Sequence, residues 1–228
     1  MHAQIVLFDG FDPLDAVAPF EVLLAGGLAT GGALTVELVS AEGPRDVISG
    51  SGGLMLRATA RLDSACADVI VVPGASGPVG DAPDGVDTVP MLLARTGETG
   101  LPALLREALD DPTVLVTTVC GGSLVLAMAG LLEGRHAVTH HLGMPVLGAT
   151  GAHPIQARVV DDGDLITAAG VTSGLDLGLY LLERQLGPRI ARAVEDLFAY
   201  ERRGTVWRHD GADPVAAFVT ADDTVDAA

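Results

Sequence analysis

Cys120 lies at the junction of two apolar runs and is followed directly by two glycines, in the stretch TVLVTTVCGGSLVLAMAGLL at 113–132. The run before it, 113–119, is short and β-branched, which is typical of a buried parallel strand. The run after it, 123–132, is rich in Leu, Ala and Met, which predicts a buried helix. A side chain at such a turn projects above the sheet, and the free N–H groups of the helix start favour a thiolate. The pattern predicts a nucleophile; the alternative is a small buried hydrophobic residue, the commonest role of a free cysteine.

Composition narrows the classes of protein and partner. With 228 residues, 49% hydrophobic and 19% charged, the chain is expected to form one globular domain with one substantial core. Its 30 acidic against 13 basic residues give a net charge of −17, so nucleic acid is not an expected partner. No apolar stretch reaches the roughly 18 residues of a membrane span, so no membrane partner is expected either.

The number of cysteines and the first residues of the chain predict the cellular compartment. Two cysteines are too few for a disulfide scaffold, which favours a reduced, cytoplasmic setting. The opening MHAQIVLFDG lacks the basic region of an export signal and runs directly into a strand. The second cysteine, Cys66, has no glycine beside it and no strand-to-helix corner, so we expect it to be a packing residue.

Strand-like and helix-like runs alternate along the chain. The predicted strands are 4–8, 34–40, 68–74, 113–119 and 136–141. The predicted helices are 13–28, 97–109, 123–132, 172–187 and 188–203. The remaining segments are predicted as an extended ribbon with a glycine-rich turn at 45–60, a surface loop at 77–90 and a β-hairpin at 157–170.

This alternation predicts an α/β fold with a parallel sheet covered by helices on both faces. Ligands of such sheets bind at the carboxyl ends of the strands, where both Cys120 and Gly74 are expected. We expect a single domain over 1–203 and an acidic, flexible tail over 204–228.

Two stretches resemble a known family. VCGGSLVLAMAGLLEGRHAVTHH, at 119–141, resembles the nucleophile elbow of the ThiJ/PfpI superfamily, and within it the V-C-T-G-S-L-V-L pattern of bacterial isonitrile hydratases. RVVDDGDLITAAGVTSGLDLGL, at 158–179, resembles a later hairpin and helix of the same enzymes. The resemblance runs with gaps over 4–200. It implies a class I glutamine amidotransferase-like fold, that is, a flavodoxin-like parallel sheet sandwiched by helices with a strand-to-helix nucleophile elbow.

The resemblance assigns roles to individual residues. Cys120 matches the family nucleophile, and Asp15, in PLDAVAPFEVL, matches an acidic residue that shares a proton with it. Without the resemblance, Asp15 would be interpreted as a solvated first-turn acid that complements the helix dipole. Gly74 and Ala75, in VPGASG, match a family turn whose backbone N–H would face that of Gly121 and form an oxyanion hole. The alternative is an ordinary strand-ending turn.

Other positions match the family pattern less closely. His140 matches a histidine found near the cysteine in several branches, and His141 replaces the aromatic residue that follows it in hydratases; either could be a surface or packing residue. Asp176 matches a helical aspartate and is expected to be structural. Hydratases carry a threonine directly after the cysteine, whereas Gly121 stands here. Gly121 lacks the hydroxyl, and we expect it to leave room for a larger substrate or a water.

The resemblance implies cysteine-dependent hydration of an isonitrile to an N-substituted formamide. Cys120 would attack the terminal carbon and Asp15 would supply and remove protons, with a small-molecule substrate, no metal and no cofactor, in a homodimer. Two alternatives use the same corner. One is glyoxalase, deglycase or amidase activity, and the other is a non-enzymatic domain that senses a ligand or an oxidant through Cys120.

Overall fold

The fold is built on one eight-stranded sheet. A computed structural model describes residues 1–212 and residue 215. The sheet has the strand order β12-β10-β11-β7-β6-β1-β2-β5. Its strands are β1 (His2–Val6), β2 (Thr35–Ser40), β5 (Ala60–Arg61), β6 (Val69–Val72), β7 (Leu115–Val119), β10 (Val159–Asp161), β11 (Leu165–Ala168) and β12 (Trp207–Arg208). Two short pairs lie outside it, formed by β3 (Arg45–Ile48) with β4 (Met55–Ala58) and by β8 (His136–Ala137) with β9 (His153–Pro154).

Seven helices cover this sheet in the described part of the chain. They are α1 (Pro13–Ala29), α2 (Val89–Thr96), α3 (Leu101–Asp110), α4 (Gly122–Met128), α5 (Met144–Ala149), α6 (Ser173–Leu186) and α7 (Pro188–Phe198). Helices α1, α6 and α7 pack against one another, whereas α4 packs with α2, α3 and α5, so the helices form two layers. No helix within the described ranges is long and apolar enough to span a bilayer.

All pairings within the large sheet are parallel except that of β10 with β11. The central strands β6, β7 and β11 are buried at every residue, as expected for uncharged, largely β-branched segments covered on both faces. The predicted α/β class and the parallel sheet are therefore confirmed. So are the two ribbons, since β3–β4 and β10–β11 are antiparallel pairs.

The order of the strands brings three chain segments to one edge of the sheet. β1, β6 and β7 are neighbours, and the chain leaves all three at their carboxyl ends. The segment after β1 leads into α1, which carries Asp15; Gly74 follows β6, and Cys120 follows β7. Residues far apart in sequence therefore meet where a ligand of this fold class is expected.

Several predicted elements were wrong in extent. The helix predicted at 188–203 ends at Phe198, and the one predicted at 97–109 begins at Leu101. The strand predicted at 136–141 is extended only at His136–Ala137 and then turns into a 3₁₀ helix at His141–Gly143. The helix predicted to reach residue 132 ends at Met128, because the chain turns at Gly130 with a φ of 71°. The loop predicted at 77–90 gives way at Val89 to helix α2, which the sequence reading missed.

The C-terminal segment returns to the sheet. Strand β12 pairs in parallel with β10, matching Val160 with Trp207 and Asp161 with Arg208. The boundary predicted at residue 203 thus lies short of the last strand. The rest of the predicted tail, at 213, 214 and 216–228, lies outside the described residues.

Candidate active site

Cys120 occupies the turn between β7 and α4 in a left-handed backbone conformation, with a φ of 56°. Such a conformation costs a residue with a side chain roughly 1–3 kcal/mol, so its surroundings must hold it in place. The Cys120 N–H donates to the carbonyl of Ala168 at 2.9 Å. Its carbonyl accepts from the hydroxyl of Thr139 at 2.9 Å and from that of Ser123 at 3.2 Å. The turn is therefore fixed by two distant parts of the chain and by the first turn of the helix that follows it.

Close backbone contacts explain the glycines around the cysteine. A Cβ on Gly74 would lie 2.6 Å from the Gly121 nitrogen and 2.9 Å from Oδ2 of Asp15. A Cβ on Gly122 would lie 2.0 Å from the carbonyl oxygen of Val72. Both separations are far below van der Waals contact, so the two turns can approach each other only because these side chains are absent.

Asp15 lies in the first turn of α1, after Asp12, whose side chain caps the helix by accepting from the N–H of Leu14 at 2.9 Å. The Asp15 side chain points inward and its residue is 0% exposed. The N–H of Gly74 donates to its Oδ2 at 3.0 Å, whereas the buried Oδ1 has no partner at standard hydrogen-bond geometry. The structure thus places this carboxyl group beside the cysteine turn and not in solvent.

Burial determines the protonation of the pair. It raises the pKa of Asp15 to about 8, and the charge of Asp12 adds to the rise; hydrogen bonds from the Gly74 N–H and the Cys120 thiol offset part of it. Burial also raises the pKa of Cys120, which is 7% exposed, and the Asp15 charge adds to this effect. The Gly121 N–H, which hydrogen-bonds the sulfur, lowers the Cys120 pKa only in part.

Burial therefore favours the protonated form of the Asp15 carboxyl group and opposes ionisation of the Cys120 thiol. The helix start was expected to favour a thiolate; burial and the Asp15 charge act in the opposite direction, so the thiolate stays a prediction. The arrangement instead keeps a proton donor and a latent nucleophile next to each other.

The predicted oxyanion hole is only partly available. The Gly74 N–H is already bound to Asp15, and the Gly121 N–H interacts with the Cys120 sulfur. Ala75 forms a bridge with Phe11, in which the flanking residues make the hydrogen bonds. Within the described chain, the Ala75 N–H makes no hydrogen bond, so it is the remaining donor of the three.

The expected space beside Gly121 is occupied. A Cβ at this position would lie 3.3 Å from Cδ1 and 3.7 Å from Cδ2 of Leu93, on helix α2. The expectation of room for a larger substrate or a water was therefore wrong. An apolar side chain from a distant helix covers the glycine.

The two histidines lie beside the cysteine turn without joining the pair. Their rings are 4.2 Å apart, and His140 lies against Gly170 and accepts from the Leu142 N–H at 3.3 Å. Burial and the neighbouring His141 both lower the pKa of His140, which favours the neutral ring. Among the described residues, neither ring hydrogen-bonds to Cys120.

Cys66 and Asp176 have other surroundings. Cys66 is exposed, so the expectation that it packs in the interior was wrong. Asp176 is buried, and its carboxylate accepts from Nε of Arg158 at 2.6 Å, from the Tyr200 hydroxyl at 3.0 Å and from the N–H of Arg203 at 2.7 Å. This saturated network ties α6 to the C-terminal segment, which is a structural role.

Two other places could have been sites. A cavity of about 580 Å³ is lined by residues of α6, α7 and 201–206, and it includes neither Cys120 nor Asp15. Two of its three arginines, Arg192 and Arg202, are paired with carboxylates of the same region. In the ranges the structure describes, no cluster of three or more His, Cys, Asp or Glu side chains is arranged to hold a metal ion.

The sequence reading missed three neighbours of the pair. Leu93 and Thr139 approach from elements whose positions depend on tertiary packing, and no local pattern marks them. Asp12 could have been recognised, because an aspartate before Pro13 at a helix start is a typical N-cap. That Asp12 lies close to the buried Asp15 follows only from the fold.

Comparisons with known proteins place the chain in a family. The profile described as the DJ-1/PfpI family matches residues 1–184. An isonitrile hydratase from Pseudomonas putida is 34% identical over 198 residues, covering 86% of this chain and 76% of the relative. The HTH-type transcriptional regulator GlxA of Rhizobium meliloti is 29% identical over 200 residues, and the matched part spans 56% of its length.

Solved structures show the same fold. Drosophila melanogaster DJ-1beta superposes with a TM-score of 0.72 at 21% identity, covering 88% of this chain and 98% of its own. A ThiJ/PfpI family protein from Pseudomonas syringae superposes with a TM-score of 0.69 at 27% identity, covering 89% and 76%. On the profile match and the hydratase relative together, the chain belongs to the DJ-1/PfpI family.

Proposed function

We propose that the protein hydrates isonitriles to N-substituted formamides, with Cys120 as nucleophile and Asp15 as proton donor and acceptor. The observation that carries the proposal is the adjacent pair of a buried thiol and a buried carboxyl group whose pKa is raised to about 8. The 34% identity to the Pseudomonas putida isonitrile hydratase supports it.

The chemistry of the isonitrile carbon suits this pair. In the first step that carbon must gain both a nucleophile and a proton. The nucleophilic thiol and the proton-donating carboxyl group therefore have to lie beside each other. The Cys120 sulfur adds to the terminal carbon while Asp15 gives its proton to the same carbon. The thiol proton then passes to the Asp15 carboxylate, which leaves a neutral thioimidate, R–N=CH–S–Cys120, and a protonated Asp15.

Hydrolysis of the thioimidate uses the same carboxyl group. Asp15 gives its proton to the nitrogen while a water molecule adds to the carbon. The water then passes one proton to the Asp15 carboxylate, which leaves R–NH–CH(OH)–S–Cys120. Loss of the hydroxyl proton and return of a proton to sulfur then release R–NH–CHO and restore the Cys120 thiol. Each step transfers protons through one carboxyl group, and the sum is addition of one water to the isonitrile.

The backbone donors favour this reaction over acyl transfer. Amide or α-oxoaldehyde chemistry develops negative charge on an oxygen, which is best stabilised by several free N–H groups. Here the Gly74 N–H donates to Asp15 and the Gly121 N–H interacts with the thiol, so Ala75 offers the N–H without a partner in the described chain. Addition to an isonitrile builds charge on carbon, where the proton of Asp15 is delivered.

The direct test is incubation of the purified protein with a small aliphatic isonitrile in H₂O and in D₂O, followed by NMR detection of the formamide. We expect turnover, with deuterium at the formyl carbon in D₂O. Cys120→Ser and Asp15→Asn should each abolish it, and Cys66→Ser, at an exposed position, should leave it unchanged. Absence of turnover across several isonitriles, or turnover that survives Cys120→Ser, would refute the proposal. Consumption of methylglyoxal instead would favour the oxoaldehyde alternative.

A further inference from the structure

Both reacting groups are buried in this structure, and one apolar side chain packs against the residue that follows the cysteine. Cys120 is 7% exposed and Asp15 is 0% exposed, so little of either reacting group is open to a substrate in this conformation. Leu93 lies directly over Gly121, the residue that follows the cysteine. We propose that Leu93 is the gate of the Cys120 site and its specificity-determining side chain, selecting small, uncharged substrates with an apolar substituent.

Most other walls of the site cannot yield easily. Gly122 and Val72 are in backbone contact across neighbouring turns. The Cys120 turn itself is held by hydrogen bonds to Ala168, Thr139 and Ser123. Displacing any of these would break the end of the sheet.

Helix α2, by contrast, is lightly held. Of its eight residues only Leu92, Leu93 and Thr96 are buried, and no side chain caps its first turn. Its ion pair, between Arg95 and Asp87, is largely exposed and so contributes little to its position. A short element with few buried apolar contacts is the part expected to open at low cost. Opening lifts Leu93 from Gly121 and leaves its side chain lining the path to Cys120.

The substrate class follows from what lines that path. Leu93 contributes an aliphatic surface, so it binds an alkyl or aryl substituent and offers nothing to a polar one. Asp12 lies beside the reacting groups, because its N–H donates to the Gly74 carbonyl at 2.8 Å, and its charge raises the pKa of Asp15 and of Cys120. A substrate with its own carboxylate or phosphate would be repelled by that charge. The preferred substrate of the proposed hydratase is thus an uncharged alkyl isonitrile.

The gate can be tested without any turnover. The rate of alkylation of Cys120 by iodoacetamide is measured by peptide mass spectrometry in the wild type, Leu93→Ala and Leu92→Ala. Leu92 is the matched control, because it lies on the same helix and is also buried but packs over Gly10. The exposed Cys66 serves as an internal reference in every sample.

We expect Leu93→Ala to accelerate alkylation of Cys120 about tenfold and Leu92→Ala to change it less than about twofold, with Cys66 unaffected. Equal acceleration in both variants would mean general loosening of the helix and would overturn the gate. So would no acceleration in Leu93→Ala.

Specificity is a second measurement, and this part rests on the proposed function. The kcat/KM ratio for a bulky over a small alkyl isonitrile should rise about tenfold in Leu93→Ala and stay unchanged in Leu92→Ala. An unchanged ratio in Leu93→Ala would overturn the specificity role. If the wild type turns over no isonitrile, the proposed function fails, while the alkylation rates still decide whether Leu93 is the gate.

Discussion

As pH rises, the Asp15→Asn variant should become increasingly more stable than the wild type. Asparagine has the same shape, and its side-chain oxygen can still accept the Gly74 N–H. Burial raises the pKa of Asp15 from 3.8 to about 8, so between these values the folded protein holds a proton that the unfolded chain has lost. Stability of the wild type must then fall as pH rises through this window, and the asparagine variant escapes that loss.

The size of the effect follows from the same numbers. A rise in pKa from 3.8 to about 8 corresponds to roughly 6 kcal/mol when the carboxyl group is fully ionised. Between pH 5 and pH 7.5 the part of this loss that accrues is about 3 kcal/mol. For a chain of this length, that is a change in Tm on the order of 10 °C.

The assay is thermal and urea unfolding of the wild type and Asp15→Asn at pH 5 and pH 7.5. At each pH, subtracting the free energy of unfolding of the wild type from that of the variant cancels the contribution of the other titrating groups. The change in this difference between the two pH values therefore reports the ionisation of Asp15. Asp12→Asn provides a graded comparison, because it removes the charge that raises the Asp15 pKa and should give a smaller pH dependence than the wild type. If the gap between wild type and Asp15→Asn is the same at both pH values, the carboxyl group ionises normally and the proton-donor argument fails.

Three further predictions test the geometry around the cysteine. Cys120→Gly should be more stable than Cys120→Ala by about 1 kcal/mol in urea unfolding, because both lack the thiol and only glycine accepts a φ of 56° without strain; equal stabilities would argue against the left-handed turn. Gly74→Ala should destabilise the fold by about 2 kcal/mol or more and abolish turnover, since its Cβ would lie 2.6 Å from the Gly121 nitrogen. Gly80→Ala, with no atom within 4 Å of its Cβ, should change neither measurement. Asp12→Asn should shift the pH profile of Cys120 alkylation to lower pH, because its charge raises the Cys120 pKa, and an unmoved profile would contradict that assignment.

Local pattern was sufficient for the sheet and for the corner that carries Cys120. Buried parallel strands are continuous apolar runs, and the switch to a Leu- and Ala-rich segment after two glycines marks where a strand ends and a helix begins. Asp15 was recognised through family resemblance, because an acid in the first turn of a helix is equally typical of a solvated side chain. Only the fold shows that this acid faces inward.

The features of the site that the sequence did not predict depend on burial and on residues distant in the chain. The Cys120 thiol was expected to be favoured as a thiolate by its place at a helix start, whereas burial and the Asp15 charge raise its pKa, an effect that no local pattern reveals. Gly121 was expected to open space, but the neighbour that fills it, Leu93, comes from a helix hidden behind a polar, proline-rich segment. The sequence after Ala137 predicts a strand, but in the structure the Thr139 hydroxyl donates to the Cys120 carbonyl and the strand does not continue.

Strand β12 has a practical consequence for anyone who shortens this chain. Trp207 and Arg208 cover the outer side of β10, and the Trp207 ring lies 5.0 Å from that of His136. A recombinant version ended at residue 203 would strip that cover and present bare backbone amides and carbonyls to other molecules, a common route to aggregation. A version ended at residue 212 would keep β12 paired with β10. Light scattering of the two versions should show more aggregation in the shorter one.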